Sequence, residues 1–124
     1  MKLYLDTNVY LDYFMNREKS RYSFNIFRKA IKCKYHIILS DQVLYELSKI
    51  IEYSSTKFLF EFLKNKLILI KLEANDKLEA KLIPTHYSDA LHILLARKAK
   101  ADLIVTNNIR DFASIFKSER PENL

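Results

Sequence analysis

Four short, continuous apolar runs, separated by segments with helical periodicity, constrain the fold of this chain more than any other feature. The runs are 2–5, 35–39, 67–72 and 102–106. None of them alternates between apolar and polar residues, which is typical of strands buried on both faces of a parallel sheet. We therefore predict an α/β fold, a three-layer sandwich in which residues 1–124 form a single domain around a central parallel sheet of four to five strands.

Capping residues and breakers set the expected bounds of the elements between these runs. Helices are predicted at 7–14, 20–34, 41–51, 55–65, 74–83 and 89–100, with N-caps at Ser20, Ser40 and Ser88. A weak last strand is predicted at 115–116. Because the chain has no glycine, Asn107 and Asn108 are expected to form the turn after the fourth run, where glycine is more usual.

The composition excludes several classes of function. Without glycine the chain cannot form a Walker phosphate loop or a glycine-rich dinucleotide fingerprint, because both need backbone without a Cβ close to phosphate. Cys33 is the only cysteine, so an internal disulfide and a cysteine-rich zinc site are excluded. No apolar run approaches the length of a membrane span, and no signal-peptide pattern is visible. We therefore expect a cytoplasmic protein that does not associate with membranes.

The positive charge is concentrated in one segment. Lys and Arg number 21 and Asp and Glu number 15, a formal charge of +6. Residues 17–34 contain seven basic residues and one acid, so this segment alone accounts for the surplus. If the segment is helical, one stripe carries Arg17, Arg21, Arg28 and Lys32. We interpret this stripe as a candidate contact for nucleic-acid phosphates, with a solvated helix face as the alternative.

Four acidic residues are predicted to meet at the carboxyl edge of the sheet, where open parallel sheets place their ligand sites. Asp6 directly follows the first run, and Asp111 lies shortly after the fourth. Glu46 lies at the border of the apolar stripe of its helix, about 60° from Val43. Asp89 lies in the first turn of its helix, where the helix dipole favours an ionised carboxylate.

Carboxylates that converge in this way repel one another unless a cation lies between them. Because every candidate ligand atom is an oxygen, the expected ion is Mg²⁺ or Mn²⁺. Such an ion beside a basic segment indicates metal-assisted hydrolysis of phosphodiesters, in which the metal lowers the pKa of a bound water. Taken singly, each acid has a structural alternative: Asp6 and Asp111 as turn residues, Glu46 in an ion pair with Lys49, and Asp89 as support for its helix.

The histidines are not expected to bind a metal with Asp89. His86 and His92 lie about 240° apart on a helix and cannot share a face. His92 is expected to orient Asp89 or to contact a substrate phosphate, and a satisfied core histidine remains an open alternative.

Four segments carry polar residues in a recognisable order. They are Leu5-Asp6-Thr7-Asn8-Val9, Ser40 to Glu46, Asp89-Ala90-Leu91-His92 and Val105 to Phe112. In this order and at this spacing they resemble the motifs of the PIN-domain nucleases, a family that includes VapC-type toxins. The resemblance implies a five-stranded parallel sheet, cleavage of RNA, and a Mg²⁺ or Mn²⁺ site. It also implies site residues, with metal and catalytic roles for Asp6, Glu46, Asp89 and Asp111 and supporting roles for Asn8, Thr106, Asn108 and His92.

One position departs from the family pattern. Many members carry an aspartate where this chain has Asn108, so Asp111 is expected to replace it. The resemblance further implies a homodimer and a cognate antitoxin as partners. An apolar cluster is a candidate contact for the antitoxin, although ordinary core packing is the preferred interpretation; it comprises Phe58, Leu59, Phe60, Phe62 and Leu63.

Two functional hypotheses follow. The first is a Mg²⁺- or Mn²⁺-dependent endoribonuclease, the toxin of a type II toxin–antitoxin pair. The second is a catalytically weak or inactive relative that binds RNA or forms complexes, for which Asn108 is the only support. A phosphotransferase of the haloacid dehalogenase type is excluded, because it requires an aspartate at the position of Asn8.

Overall fold

Five parallel strands form the central sheet of the computed structural model, which describes every residue from Met1 to Leu124. They are β1 (Lys2–Leu5), β2 (His36–Ser40), β3 (Leu67–Ile70), β4 (Leu103–Val105) and β5 (Ser118–Glu119). Their order across the sheet is β3-β2-β1-β4-β5, so β1 lies in the centre. The predicted α/β fold with a central parallel sheet is confirmed.

Seven α-helices connect and cover the strands. They are α1 (Thr7–Phe14), α2 (Ser20–Ile31), α3 (Asp41–Ser48), α4 (Tyr53–Leu63), α5 (Ala74–Ala80), α6 (Tyr87–Lys98) and α7 (Ile109–Phe112). Short 3₁₀ turns lie at Lys64–Lys66 and Pro121–Asn123. None of the helices has both the length and the apolarity that crossing a membrane requires.

The strands and the inner faces of the helices share one hydrophobic core of 28 buried residues. Leu3, Tyr4 and Leu5 of the central strand have no exposed surface, because helices cover both faces of the sheet. In α6 every residue from Ala90 to Ala96 is buried. This explains why α6 is apolar almost all round, since a helix packed on several sides needs no polar face.

Two residues after the last residue of α1, α2 and α6, the chain has a residue with positive φ that is not glycine: Asn16 (48°), Cys33 (67°) and Lys100 (57°). At the end of α6, the amide of Ala101 donates to the carbonyl of Ala96 and that of Lys100 to the carbonyl of Arg97. This is the Schellman pattern, which requires a left-handed residue. Asn107 and Asn108 lie in the connection between β4 and α7, as predicted, but neither has the positive φ that favours glycine.

Several predicted bounds differ from the structure. The last strand is β5 and not 115–116, because Ile115 and Phe116 instead pack against the core after α7. Of the three serines predicted as N-caps, only Ser40 accepts a capping hydrogen bond, from the amide of Val43. Residues Lys19, Glu52 and His86 precede α2, α4 and α6 without a side-chain cap. Tertiary packing therefore sets these helix starts more than capping does.

Candidate active site

The register of the central strands fixes the first acidic residue of the site. Leu5 of β1 pairs with Val105 of β4, so Asp6 and Thr106 lie side by side where both strands end. The Thr106 hydroxyl donates to Oδ2 of Asp6 at 3.0 Å, and the Asp6 amide donates to the Val105 carbonyl at 2.9 Å. The carboxylate is therefore held by the sheet itself, and Asp6 is only 9% exposed.

The short junction between β2 and α3 brings Glu46 to the same edge. Its carboxylate accepts hydrogen bonds from the Thr7 hydroxyl at 2.5 Å and from the Gln42 amide at 2.8 Å. The Nε2 atom of His92 lies 3.0 and 3.1 Å from the two carboxylate oxygens. The alternative of an ion pair with Lys49 is wrong, because the Lys49 ammonium lies over the Tyr45 ring, 4.3 Å from its centroid.

Three of the four predicted acids line one open cleft of about 410 Å³ at the carboxyl edge of the sheet. The polar residues that line it are Asp6, Thr7, Asn8, Glu46, Lys49, Ser88, Asp89, His92 and Asn108. Asp111 does not line the cleft but lies beside it, where its carboxylate accepts a hydrogen bond from the Asn108 side chain. The topology thus brings together residues that are far apart in the sequence.

The surroundings of two of these acids, Asp6 and Asp89, disfavour their ionised forms. Burial raises the pKa of Asp6, and the His92 imidazole and the Thr106 hydroxyl offset this only in part. Burial also raises the pKa of Asp89, and the negative charges of Asp6 and Asp111 raise it further. The nearby histidines lower the pKa of each carboxyl without offsetting these effects in full, which is the situation that a bound cation relieves.

Glu46 behaves in the opposite way. Burial by itself raises its pKa, but the hydrogen bond and the positive charge of protonated His92, together with the hydrogen bonds from Thr7 and Gln42, outweigh burial and lower the pKa to about 2. Glu46 is therefore ionised at any physiological pH, and the protein itself supplies the stabilisation.

The donor set fits a hard divalent cation. No three histidine, cysteine, aspartate or glutamate side chains lie close enough together to form a complete metal site from protein atoms alone. Mg²⁺, however, keeps several of its waters and is usually held by one or two carboxylates. The oxygens of Asp6 and Asp89 in one cleft, with polar Asn8 and Asn108 beside them, meet this requirement.

His92 lies behind the acids and not among them. It is 2% exposed, and its ring nitrogens contact Glu46 and the hydroxyl of Tyr4. The expectation that His92 orients Asp89 is wrong, because its hydrogen-bond partner is Glu46. The alternative of a buried, satisfied histidine describes its surroundings better.

The basic residues do not form the single helical stripe that the spacing predicted. Arg17 precedes α2, with its guanidinium 3.6 Å from Asp12 and 3.5 Å from the Asn8 side chain. It therefore stands at the rim of the cleft, next to Asn8. Arg21 and Arg28 lie on α2 and Lys32 at its end, all of them exposed, and Arg28 borders a different groove.

That second groove is apolar and lies between α2 and α4. It has a volume of about 280 Å³ and is lined by Tyr13, Phe24, Phe27, Arg28, Ile31, Phe58, Leu59 and Phe62. Phe58 is 80% and Phe62 62% exposed. Core packing is therefore confirmed for Leu59 and Leu63, which are buried, and is wrong for these two phenylalanines.

Sequence reasoning missed Tyr4, Thr7 and Gln42, the polar residues that reach Glu46 directly or through His92. Thr7 lies inside a motif already singled out, and Tyr4 is the one hydroxyl-bearing residue of β1. Asp12 has a structural role, since it accepts a hydrogen bond from the Asn107 side chain at 2.8 Å.

Comparisons with known proteins agree with this fold. The family model for the PIN domain matches residues 2–110. The solved structure of VapBC2 from Rickettsia felis, bound to a DNA fragment from its promoter, has a similar chain with a TM-score of 0.66 and 23% identity, covering 97% of this chain and 98% of that one. VapBC-1 from nontypeable Haemophilus influenzae is similar with a TM-score of 0.61 and 17% identity, covering 98% of each chain. No curated protein sequence gives a significant match.

Proposed function

This chain belongs to the PIN domain family, and we propose that it is a Mg²⁺- or Mn²⁺-dependent endoribonuclease that acts as the toxin of a toxin–antitoxin pair. The observation that carries the proposal is the cleft in which Asp6, Glu46 and Asp89 meet at the carboxyl edge of the sheet. Its raised carboxylate pKa values and its all-oxygen donors suit a hard cation.

Each acid has a distinct part in this proposal. Asp6 and Asp89 would hold the ion, which supplies a water of lowered pKa and neutralises charge on the phosphate. Glu46 is ionised and held by three donors, and it would orient a water molecule by accepting a hydrogen bond from it. Because its pKa is low, Glu46 is too weak a base to deprotonate that water before it attacks the phosphate. Asp111 adds negative charge beside Asp89 and fixes the Asn108 side chain.

Positive groups at the rim are proposed to contact the RNA backbone. Arg17 lies beside Asn8, and Lys49 lines the cleft. An RNA backbone that enters the cleft would therefore pass both side chains. Arg21, Arg28 and Lys32 would contact RNA further along α2. Phosphate contacts of this kind give affinity without sequence preference.

The apolar groove between α2 and α4 is proposed to receive the antitoxin. Its exposed phenylalanines could pack against the apolar face of an amphipathic helix, and Arg28 at its border could pair with an acidic residue of that helix. The similar chains come from VapBC complexes, which supports a protein partner. The resemblance to the family also implies a homodimer, and light scattering of the purified protein would test this.

RNA cleavage by purified protein, with and without Mg²⁺, tests the proposed activity. We expect Asp6→Asn and Asp89→Asn each to reduce cleavage by more than about 100-fold, since loss of even outer-shell partners of a metal costs about 10- to 100-fold. The exposed Glu79, on α5, provides the control variant Glu79→Gln. Undiminished cleavage by Asp6→Asn contradicts the assignment.

The inactive alternative is supported by the neutral Asn108 side chain at the cleft. Such a protein would bind RNA but would show no cleavage in Mn²⁺ or Mg²⁺. Calorimetric titration with Mn²⁺ separates the two functions, because a decayed site binds no ion.

A further inference from the structure

A chain of buried hydrogen bonds runs from the end of β2 to the cleft, and we propose that Tyr4 and His92 are positioning residues that fix the Glu46 carboxylate there. The inference rests on the proposed function, because it assigns Glu46 a working place in the same cleft. It adds Tyr4, a residue of the central strand that does not line the cleft.

The contacts are short and enclosed. Ser40 Oγ lies 2.8 Å from Tyr4 Oη, which lies 2.7 Å from His92 Nδ1. His92 Nε2 then reaches both oxygens of Glu46 at 3.0 and 3.1 Å. Ser40 and Tyr4 have no exposed surface, so bulk water does not reach either hydroxyl, and a lost bond leaves a buried polar group unsatisfied.

Counting hydrogens gives the chain a direction. Ser40 Oγ already accepts from the Val43 amide, and its own hydrogen has only Tyr4 Oη to bond to. Tyr4 Oη then accepts from Ser40 and donates to Nδ1 of His92, which leaves Nε2 to carry the hydrogen donated to Glu46. In the reverse direction the Ser40 hydrogen is buried without an acceptor. When His92 is neutral, the geometry therefore selects the Nε2–H tautomer.

Glu46 is consequently held by donors from three helices. Thr7 belongs to α1, Gln42 to α3 and His92 to α6. Most of the acceptor capacity of the carboxylate is already used, which suits contact with a water more than direct binding of an ion. Tyr4 and Ser40 link this arrangement to the central sheet, so Glu46 is fixed relative to Asp6, which ends β1.

The chain offers a matched pair of variants. Tyr4 and Tyr10 are both fully buried, but the Tyr10 hydroxyl is the one buried side-chain atom without a hydrogen-bond partner. Tyr4→Phe removes two hydrogen bonds, whereas Tyr10→Phe removes the same atom and no bond. We expect Tyr4→Phe to lower kcat for RNA cleavage by about 10-fold or more with little change in KM, and Tyr10→Phe to leave both unchanged.

A second pair tests His92 itself. His92→Gln keeps a nitrogen donor near the position of Nε2, and His92→Asn keeps one near Nδ1 only. If His92 acts by donating to Glu46, His92→Gln retains clearly more activity than His92→Asn. Equal loss in both variants contradicts a positioning role and indicates a packing role.

Nitrogen-detected NMR of the metal-free protein gives a measurement that does not depend on activity. We expect His92 to show an unprotonated Nδ1 and a protonated Nε2 in wild type and Tyr10→Phe, and a mixture of tautomers in Tyr4→Phe. A protonated Nδ1 in the wild type overturns the inference. If the tautomer is as expected but Asp6→Asn cleaves RNA normally, the proposed function fails and the hydrogen-bonded chain stands.

Discussion

Hydrogen bonds stabilise the ionised form of the Asp6 carboxyl, and burial destabilises it. Asp6→Asn keeps an oxygen that can accept from Thr106 and removes a buried charge. In EDTA at neutral pH we therefore expect the free energy of unfolding to rise, by an amount on the order of 1 kcal/mol, a typical size for one substitution. Urea unfolding measures this, with Glu79→Gln as the control. A decrease in Asp6→Asn would mean that the charge is already compensated.

The raised pKa values also predict how pH acts on the metal-free protein. The folded state holds protons on Asp6 and Asp89 to higher pH than the unfolded chain does, so their contribution to stability falls as pH rises above about 4, the ordinary aspartate pKa. Glu46 acts oppositely, and its stabilisation is lost only as pH falls from the ordinary glutamate range toward about 2.

Because a divalent cation binds the ionised carboxylates, its stabilising effect has the opposite pH dependence. We expect the rise in Tm on adding Mn²⁺ to be larger at pH 7 than at pH 5. Calorimetric melting at both pH values, with Asp6→Asn as the variant that lacks the effect, measures the difference. An equal rise at both pH values would show that the ion does not compete with protons for these acids.

For single residues, the sequence predicts which acids meet at the edge of the sheet. It does not predict which hydrogen bonds position their carboxylates. Asp6, Glu46 and Asp89 could be placed because strand ends and helix periodicity fix their edge of the sheet. The bond between Tyr4 and His92 joins residues 88 positions apart, and no local pattern records it. Asp111 was predicted in the cluster, and the structure places it beside the cleft, bonded to Asn108.

Among the elements, the strands were easier to predict than the ends of the helices. A buried parallel strand needs a continuous apolar run, and β1 and β4 have one. The two-residue strand β5 consists of a serine and a glutamate and has no apolar run of its own. It is an edge strand that pairs only with β4, so its side chains need not be buried on both faces. Likewise Arg17 was placed on α2 by charge spacing, although the chain turns there and α2 begins at Ser20.

The left-handed helix ends offer a test at the scale of elements. Lys100 is exposed with a φ of 57°, a conformation that costs a residue with a Cβ about 1–2 kcal/mol. Lys100→Gly removes this cost but gives up about 0.4–1 kcal/mol through a more flexible unfolded chain. We expect a net gain of roughly 0.5–1 kcal/mol in urea unfolding.

The control for this prediction is Lys81→Gly. Lys81 is the C-cap residue that follows α5 and has a φ of −66°, so glycine relieves no strain there and is expected to destabilise the protein by about 0.5–1 kcal/mol. If both variants are destabilised alike, the left-handed conformation of Lys100 carries no strain.

Considered as a whole molecule, the protein presents two separate surfaces, a polar cleft and an apolar groove. They share no lining residue, so a partner in the groove need not occupy the cleft. The sequence does not show that Phe58 belongs to an exposed groove, because whether Phe58 points inward or outward depends on how α4 packs against α2.

Phe58→Glu is expected to weaken binding of the antitoxin by at least 10-fold (on the order of 1.4 kcal/mol) while leaving RNA cleavage unchanged. Co-purification with a candidate antitoxin measures binding. Tyr53→Glu is the matched control, because Tyr53 is 76% exposed and lies outside the groove. Equal binding by Phe58→Glu and wild type places the partner elsewhere.

The central claim is that acids from distant stretches of the chain share one divalent ion, and anomalous scattering from crystals grown with Mn²⁺ tests it most directly. We expect a manganese peak within coordination distance of Asp6 and Asp89, and none in crystals of Asp6→Asn. A peak away from these two carboxylates, or no peak at Mn²⁺ concentrations that saturate related metal sites, would contradict the account.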